Sequence, residues 1–456
     1  MNIEDRVSDW LHADAPGQAP ASLLQRSVER AVTAPQERSF WRRLRPAESE
    51  KSGPTSRSTK LMLLAATLVT LALLGSLAVI ASRPIVKPGP GPTNGWIAFT
   101  NAEGAIYFVK PGTPAELRVD VSGTSLGNAC PAFSPDGTQL AYGRLKPADG
   151  GGPAEAVVDI DTIEAGRDTA RLKEFPVGPG LMAPCPLWSP DGKWLAFALS
   201  AAEADDSAQG TSPTSVRLLF VPSGGYRDVE GQVQDIDWSP DSMALAVASG
   251  SEIRIVHTVD RAPHAVPETT GAQHVSWSPD GRLIAWERPA AGQDVADLVV
   301  VDPLGSTART LVAGFHANHG IGPVWSPDGH KLVYQRLCST RPDDPAAPCR
   351  EQHDVVVLTA PNDDWLAARI TETVMPESRQ TSSGTEYMWP FFVTWSPDSS
   401  NLLYNAWSPD IDDSLIAVPL APGSVPTVLV QSPDVSPGGG PGADLIQTWQ
   451  RAPVTP

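Results

Sequence analysis

Cysteine is scarce in this chain: four in 456 residues, the first at position 130, and no two with Cys-x-x-Cys spacing. That leaves no thiolate zinc site to be read, and it excludes one from residues 1–60 altogether. Basic charge is also in short supply. Thirty-four Lys and Arg stand against 52 Asp and Glu, a net charge of −18, which disfavours nucleic acid and anionic lipid as partners. The segment 61–82 has no charge at all, with Lys60 and Arg83 at its ends. As a helix its 22 residues span about 33 Å against a hydrocarbon core of about 30 Å. The charged stretch of some 60 residues before it is far longer than a secretory leader carries. We therefore expect one transmembrane helix over 61–82.

Basic residues flank that helix unevenly. Arg38, Arg42, Arg43, Arg45, Lys51, Arg57 and Lys60 precede it, while only Arg83 and Lys87 follow closely. Positive-inside logic puts the N-terminus in the cytoplasm and the remainder outside. Residues 1–60 have 10 basic and 8 acidic side chains, the remainder 24 and 44, so the acidity belongs to the exterior part. All four cysteines lie there, as suits an oxidising compartment. Cys338 and Cys349 bracket a short loop that a disulfide would staple. Cys130 and Cys185 hold equivalent places in successive repeats, so they read either as a second bridge or as two buried free thiols. Residues 1–45 have short stretches of helical spacing, notably Leu23, Leu24, Val28 and Val32. Residues 46–60 read as a flexible basic linker, 83–95 as an extended proline-rich one, and 451–456 as a tail.

What the chain has in abundance is one repeated phrase. Ser-Pro-Asp-Gly or Ser-Pro-Asp-Ser occurs six times, with Asp136, Asp191, Asp241, Asp280, Asp328 and Asp398 at its third position. An aromatic precedes each copy: Phe133, Trp188, Trp238, Trp277, Trp325 and Trp395. An apolar triplet follows each, from Leu140-Ala141-Tyr142 to Leu402-Leu403-Tyr404. Pro presets φ, Ser can bond back to the backbone and Gly relaxes the exit, so each copy reads as strand, tight turn, strand. Third and weaker fourth strands follow. Four antiparallel strands make a blade that buries its faces only against other blades. The repeats vary in spacing around a constant core, which favours a closed β-propeller over a stacked solenoid.

The ends of the repeat region are complementary. Residues 96–99 match a second strand that has no first, and 444–449, ending at Trp449, match a first strand that has no successor. A blade shared between the two ends gives seven, one of them composite; six is the alternative if the end segments only decorate the ring. The fold class is thus all-β, preceded by one transmembrane helix and short N-terminal helices.

Over residues 96–450 the aromatic-Ser-Pro-Asp units resemble the TolB-like propellers, whose units are also called WD40-like or PD40 repeats. The resemblance implies a fold and leaves function open, since such propellers serve as binding platforms, envelope scaffolds and accessory domains of peptidases. Before the membrane segment, the short helical unit is similar in layout to anti-sigma factors, without the cysteines of their zinc-binding version.

Catalytic patterns are few. Gly123-Thr124-Ser125-Leu126-Gly127 matches Gly-x-Ser-x-Gly, but a strand rather than a helix is expected next, contrary to a nucleophile elbow. A peptidase would also need a hydrolase domain of a few hundred residues beyond the propeller. His316 and His319, with His330 further on, lack a carboxylate partner in sequence and read as solvated loop residues. Asp205-Asp206, Asp343-Asp344 and Asp410 to Asp413 read as acidic surface loops rather than Ca²⁺ ligands. No metal or other cofactor is expected, and no catalytic residue is assigned. The long connections 144–155, 199–214, 336–353, 372–390 and 405–413 fall on the propeller face opposite the tight turns, where binding is expected. Trp389, Tyr387, Arg379, His316 and His319 are the candidates there. The expected function is non-catalytic: a binding, scaffold or sensor module outside the cell membrane for a protein, peptide or glycan of the envelope. The alternatives are a hydrolase or lyase using the central channel, and a transmembrane signalling protein.

Overall fold

The computed structural model describes residues 93–451 except 101–104, 112, 114, 120–129, 148–151, 164–169, 202–212, 291–294, 306, 317–321, 338–352, 367–369, 376–377, 382–383, 388, 409–410, 422–423 and 432–446. All belong to one compact unit, Pro88–Pro456. The expected N-terminal helices, linker and membrane span 61–82 lie outside the described residues, as do Cys338, Cys349, His319 and the Gly123 to Gly127 pattern. Among the described residues no helix is long and apolar enough to cross a membrane.

Six four-stranded antiparallel blades are continuous in sequence. The first runs from Ala132–Phe133 through Gln139–Lys146 and Glu155–Thr162 to Ala170–Pro179. The second spans residues 187–230, the third 235–265, the fourth 275–316, the fifth 324–374 and the sixth 389–431. The chain ends build a further four-stranded sheet together. In it Gln447–Arg451 pairs with Asn94–Thr100, followed by Ile106–Val109 and Glu116–Val119. The pairing of Ile97 with Trp449 places the expected second strand beside the expected first one.

Two adjacent sheets share each hydrophobic cluster, and there are seven clusters among the described residues. The seam between the composite sheet and the first blade holds Phe108, Phe133 and Tyr142. The seam between the sixth blade and the composite sheet holds Ile97, Phe99 and Leu415. Blades are thus held mainly by side chains interleaved between sheets, since one sheet cannot bury both of its faces.

The Ser-Pro-Asp turns share one bonding pattern. In the first blade the Ser134 hydroxyl donates to Asp136 Oδ1 at 2.6 Å and accepts the Gln139 N–H at 2.9 Å. The same carboxylate oxygen accepts the Thr138 N–H at 3.1 Å, and the Gly137 N–H closes the turn on the Ser134 carbonyl. The fourth position takes positive φ in every copy: 72° at Gly137, but also 61° at Ser242 and 60° at Ser399. A left-handed serine is costly, and both serines bond to the neighbouring turn. Ser242 Oγ accepts the Asp191 N–H at 2.9 Å, and Ser399 Oγ accepts the Asp328 N–H at 3.1 Å. At the composite seam Asn94 takes the same place, bonding Asp398 through both ends of its amide. Gln450 then donates to the Gly137 carbonyl at 2.6 Å. The chain therefore enters the propeller on the turn face.

The motif tryptophans reach across the seams. Trp188, Trp238, Trp325 and Trp395 donate Nε1–H to carbonyls of Ala132, Leu187, Ser276 and Val324 in the preceding blade, at 3.0–3.1 Å. Trp277 instead bonds Gly281 of its own turn. Cys130 and Cys185 form a disulfide, with Cα atoms 4.9 Å apart, joining the starts of the first two blades. Two expected loops contain ordered strand: 405–413 continues the hairpin of Asn401–Ser408 and Ile411–Pro419, and 372–390 contains the hairpin Ser378–Thr381 and Gly384–Tyr387.

Burial raises the turn carboxyls, but the hydroxyl and backbone N–H bonds outweigh it. Asp136, Asp191, Asp280, Asp328 and Asp398 all end below the ordinary carboxylate range. A depressed folded pKa contributes stability above the unfolded value and loses it as pH falls through the folded one. Ser189 is fully buried, and Ser189→Ala leaves both the Trp194 N–H and Asp191 short of a partner. We expect it to cost about 1–3 kcal/mol at pH 7. Denaturant titration should show the gap to wild type narrowing at pH 3.

Candidate functional site

The turns of the fourth and fifth blades are separated by a groove. In a four-stranded antiparallel blade the turn between the first two strands and the connection between the last two emerge at the same end. Here the turn residues Ser278, Asp280, Arg282, Asp328, Gly329 and His330 meet the connection residues Asp302, Thr307 and 362–366 around a cavity of about 770 Å³. The seam below is packed by Leu283, Phe315, Trp325, Tyr334 and Trp365. Trp325 and Trp365 meet edge to face, 4.7 Å between centroids, the geometry that ring quadrupoles favour.

The segment 361–365 shapes one wall. Pro361–Asp363 forms a single 3₁₀ turn in which Asn362 and Asp363 adopt φ of 54° and 57°, a region that Asn and Asp tolerate better than other residues with a Cβ. Arg309 anchors this wall by donating to the Trp365 carbonyl at 2.9 Å. Asp363 Oδ1 lies 2.6 Å from His330 Nδ1, and Asp364 accepts the Leu366 N–H. Opposite, Arg282 pairs with Asp280 at 2.7 Å. Asp302 accepts the N–H groups of Leu304 and Thr307. Five carboxylates and one guanidinium thus give the groove a negative field over an aromatic base.

Two further polar groupings lie in seams. Between the third and fourth blades, Asp235 accepts the Val275 N–H at 2.9 Å and Asp237 the Trp277 N–H at 2.6 Å, so carboxylates bond an inner strand edge. Part of Asp237 remains accessible, yet burial of its carboxyl pushes its pKa up to about 7, reinforced by the Asp235 charge and opposed by its hydrogen bonds. His274 is raised too, because its contact with Asp235 and the field of Glu287 outweigh burial. In the first blade Arg144 bridges Asp159 and Glu174, both at 2.5 Å, and Arg171 joins Asp159 at 2.9 Å. Beside them Tyr142 donates to Asp161 at 3.2 Å, and burial raises both groups. Among the described residues no group of three or more His, Cys, Asp or Glu is arranged to hold a metal ion.

Four of the sequence candidates have described backbone positions, and His319 lies outside the described residues. His316 ends the fourth strand of the fourth blade, exposed, on the face opposite the turns. Arg379 and Tyr387 lie on the inserted hairpin, and Trp389 starts the sixth blade. The groove does not include His316. It does use His330, read from sequence as solvated, through Asp363, a residue 33 positions away. Asp363, Asp364 and Trp365 carried no weight in the sequence reading. A signal was available: Trp365 is a tryptophan outside the aromatic-Ser-Pro-Asp register, directly after two aspartates.

No known protein family profile matches the chain. A stretch of 177 residues is 30% identical to the uncharacterized peptidase YuxL of Bacillus subtilis (strain 168), covering 38% of this chain and 24% of that protein. Among solved structures, TolB from Acinetobacter baumannii is similar at 17% identity and a TM-score of 0.39, over 63% of this chain and 65% of that one. A putative 6-phosphogluconolactonase from Bacteroides uniformis is similar at 13% identity and a TM-score of 0.48, over 78% and 98%. These are likenesses of the propeller fold.

Asp237 provides a test of the seam electrostatics with a sign opposite to that of the turns. A carboxyl whose folded pKa is raised contributes stability below its unfolded value and loses it as pH rises through the folded one. Wild type should therefore lose stability between pH 5 and 8 by an increment that Asp237→Asn lacks, read by denaturant titration across that interval.

Proposed function

We propose that this is a single-pass membrane protein presenting a TolB-like propeller outside the cell as a non-catalytic binding module for an envelope protein, peptide or glycan. The observation that carries the reading is the groove between the fourth and fifth blades. Chain-specific side chains from four segments converge there on one concavity, the ordinary form of a ligand site on a rigid scaffold. The anchoring half of the reading rests on the uncharged run 61–82 and the basic excess before it.

A second reading, a propeller that serves a peptidase, draws on the partial match to YuxL. It predicts peptide hydrolysis that depends on the propeller, whereas the binding module predicts capture without turnover.

The test uses the full chain with a C-terminal tag. Intact cells should expose the tag to added protease, and an internal tag location would remove the localisation. Capture from solubilised envelope should yield a defined component that is lost in Leu366→Trp, which fills the groove. Equal capture by both proteins would dismiss the groove as the binding site, and hydrolysis of captured material would favour the peptidase reading.

A further inference from the structure

The residue three places before the motif aromatic stands at the entry to each first strand, and these places are neighbours from blade to blade. Cys130 and Cys185 hold it in the first two blades and form the disulfide of the first seam. Asp235 and His274 hold it in the third and fourth, and their side chains meet too, Asp235 Oδ2 lying 3.8 Å from His274 Nδ1. Gly322 holds it in the fifth, where a Cβ would collide with His274. One position thus bridges the first seam covalently and the third by an ion pair that exists only while the imidazole is protonated.

The third seam has a second titratable link. Directly before the aromatic stand Ala132, Leu187, Asp237, Ser276, Val324 and Thr394 in the six copies, so Asp237 is the ionisable one. It accepts the Trp277 N–H at 2.6 Å, whereas in the next seam the matching Trp325 N–H is accepted by the Ser276 hydroxyl at 3.3 Å. No tryptophan bond reinforces the third seam, because the Trp277 indole donates to Gly281 of its own turn.

Asp237 faces the N–H groups of Trp277 and Trp238, the Ser276 hydroxyl and the Asp235 carboxylate; His274 faces Asp235 and Glu287. The strand beside them, Ala244–Ala248, has no ionisable side chain. Burial raises the Asp237 carboxyl to about 7, with the Asp235 charge adding to it. Burial alone would lower His274, but the Asp235 bond and the Glu287 charge outweigh it and raise it. Both folded values exceed the unfolded ones. Both groups therefore contribute stability that is present in acid and lost as pH rises through the folded values.

We propose that the seam between the third and fourth blades is a proton-operated joint of the ring, closed while His274 and Asp237 keep their protons and loosened as they lose them near and above neutral pH. Loss of both protons leaves Asp235, Asp237 and Glu287 as like charges without the imidazolium. The strand thereby freed, Val275–Trp277, runs into the turn that walls the groove. The joint acts on that wall whatever the groove binds.

Hydrogen–deuterium exchange of the full chain in detergent at pH 5.5 and 8.0 tests this, with protection corrected for the intrinsic rate at each pH. Between the two, peptides over 275–282 should lose protection at least about tenfold more than peptides over 324–329, which report the seam built on Ser276. The double variant Asp237→Asn/His274→Gln, its fold checked by melting at pH 5.5, should flatten that difference. Asp237→Asn alone should shrink it and leave the share of His274, which keeps the test decisive if the double variant does not fold. Equal loss over both segments would overturn the joint in favour of general loosening. Undiminished loss in the folded variants would overturn its assignment to these two groups, and constant protection over 275–282 in wild type would overturn it outright.

Discussion

The propeller depends on one small bond: a serine hydroxyl donating to an aspartate two residues later. That bond holds a carboxylate where it can accept a backbone N–H from the start of the second strand, while the serine oxygen accepts another. The turn is therefore rigid without help from the rest of the fold. Because each blade begins with it, the first two strands are set at nearly the same geometry each time. The aromatic before the serine then lies at a constant height, so that most motif tryptophans find a carbonyl in the preceding blade. Turn geometry, strand register and seam packing are linked through that one carboxylate.

Ring closure applies the same logic with different residues. Ser242 and Ser399 accept a left-handed backbone where glycine would be at ease, and each bonds an aspartate N–H of the neighbouring turn. Asn94 does this for the composite sheet, and Gln450 reaches the first turn from the chain's other end. The two departures from the Gly rule in the repeat are thus inter-blade bonds. The Cys130–Cys185 bridge adds a covalent link at the first seam. At the third seam Asp237 accepts the backbone N–H of Trp277, while the Trp277 indole N–H bonds Gly281 of its own turn.

A ring built from near-identical units supplies stability evenly and specificity nowhere. Specificity has to come from positions where units differ. The groove arises where the connection after the third strand of the fifth blade folds over its own turn, putting Asp363 against His330 and Trp365 under both. In this concavity carboxylates are combined with an aromatic base and a fixed wall.

Much of this was legible in the residues. Six copies of one turn, an aromatic in register and complementary chain ends were enough for the blades, their four strands and the shared closing sheet, because local turn chemistry and period-two burial are written in adjacent positions. The equivalent places of Cys130 and Cys185 in successive repeats left a bridge and two free thiols as equal readings, and the structure forms the bridge. The groove was not legible. His330 and Asp363 are 33 residues apart, and Asp280 and Trp365 belong to different blades. Their meeting depends on how one blade packs against the next. Sequence periodicity reports which strands repeat; only the tertiary packing decides which non-repeating side chains face each other across a seam, because that depends on the three-dimensional path of connections that carry no period at all.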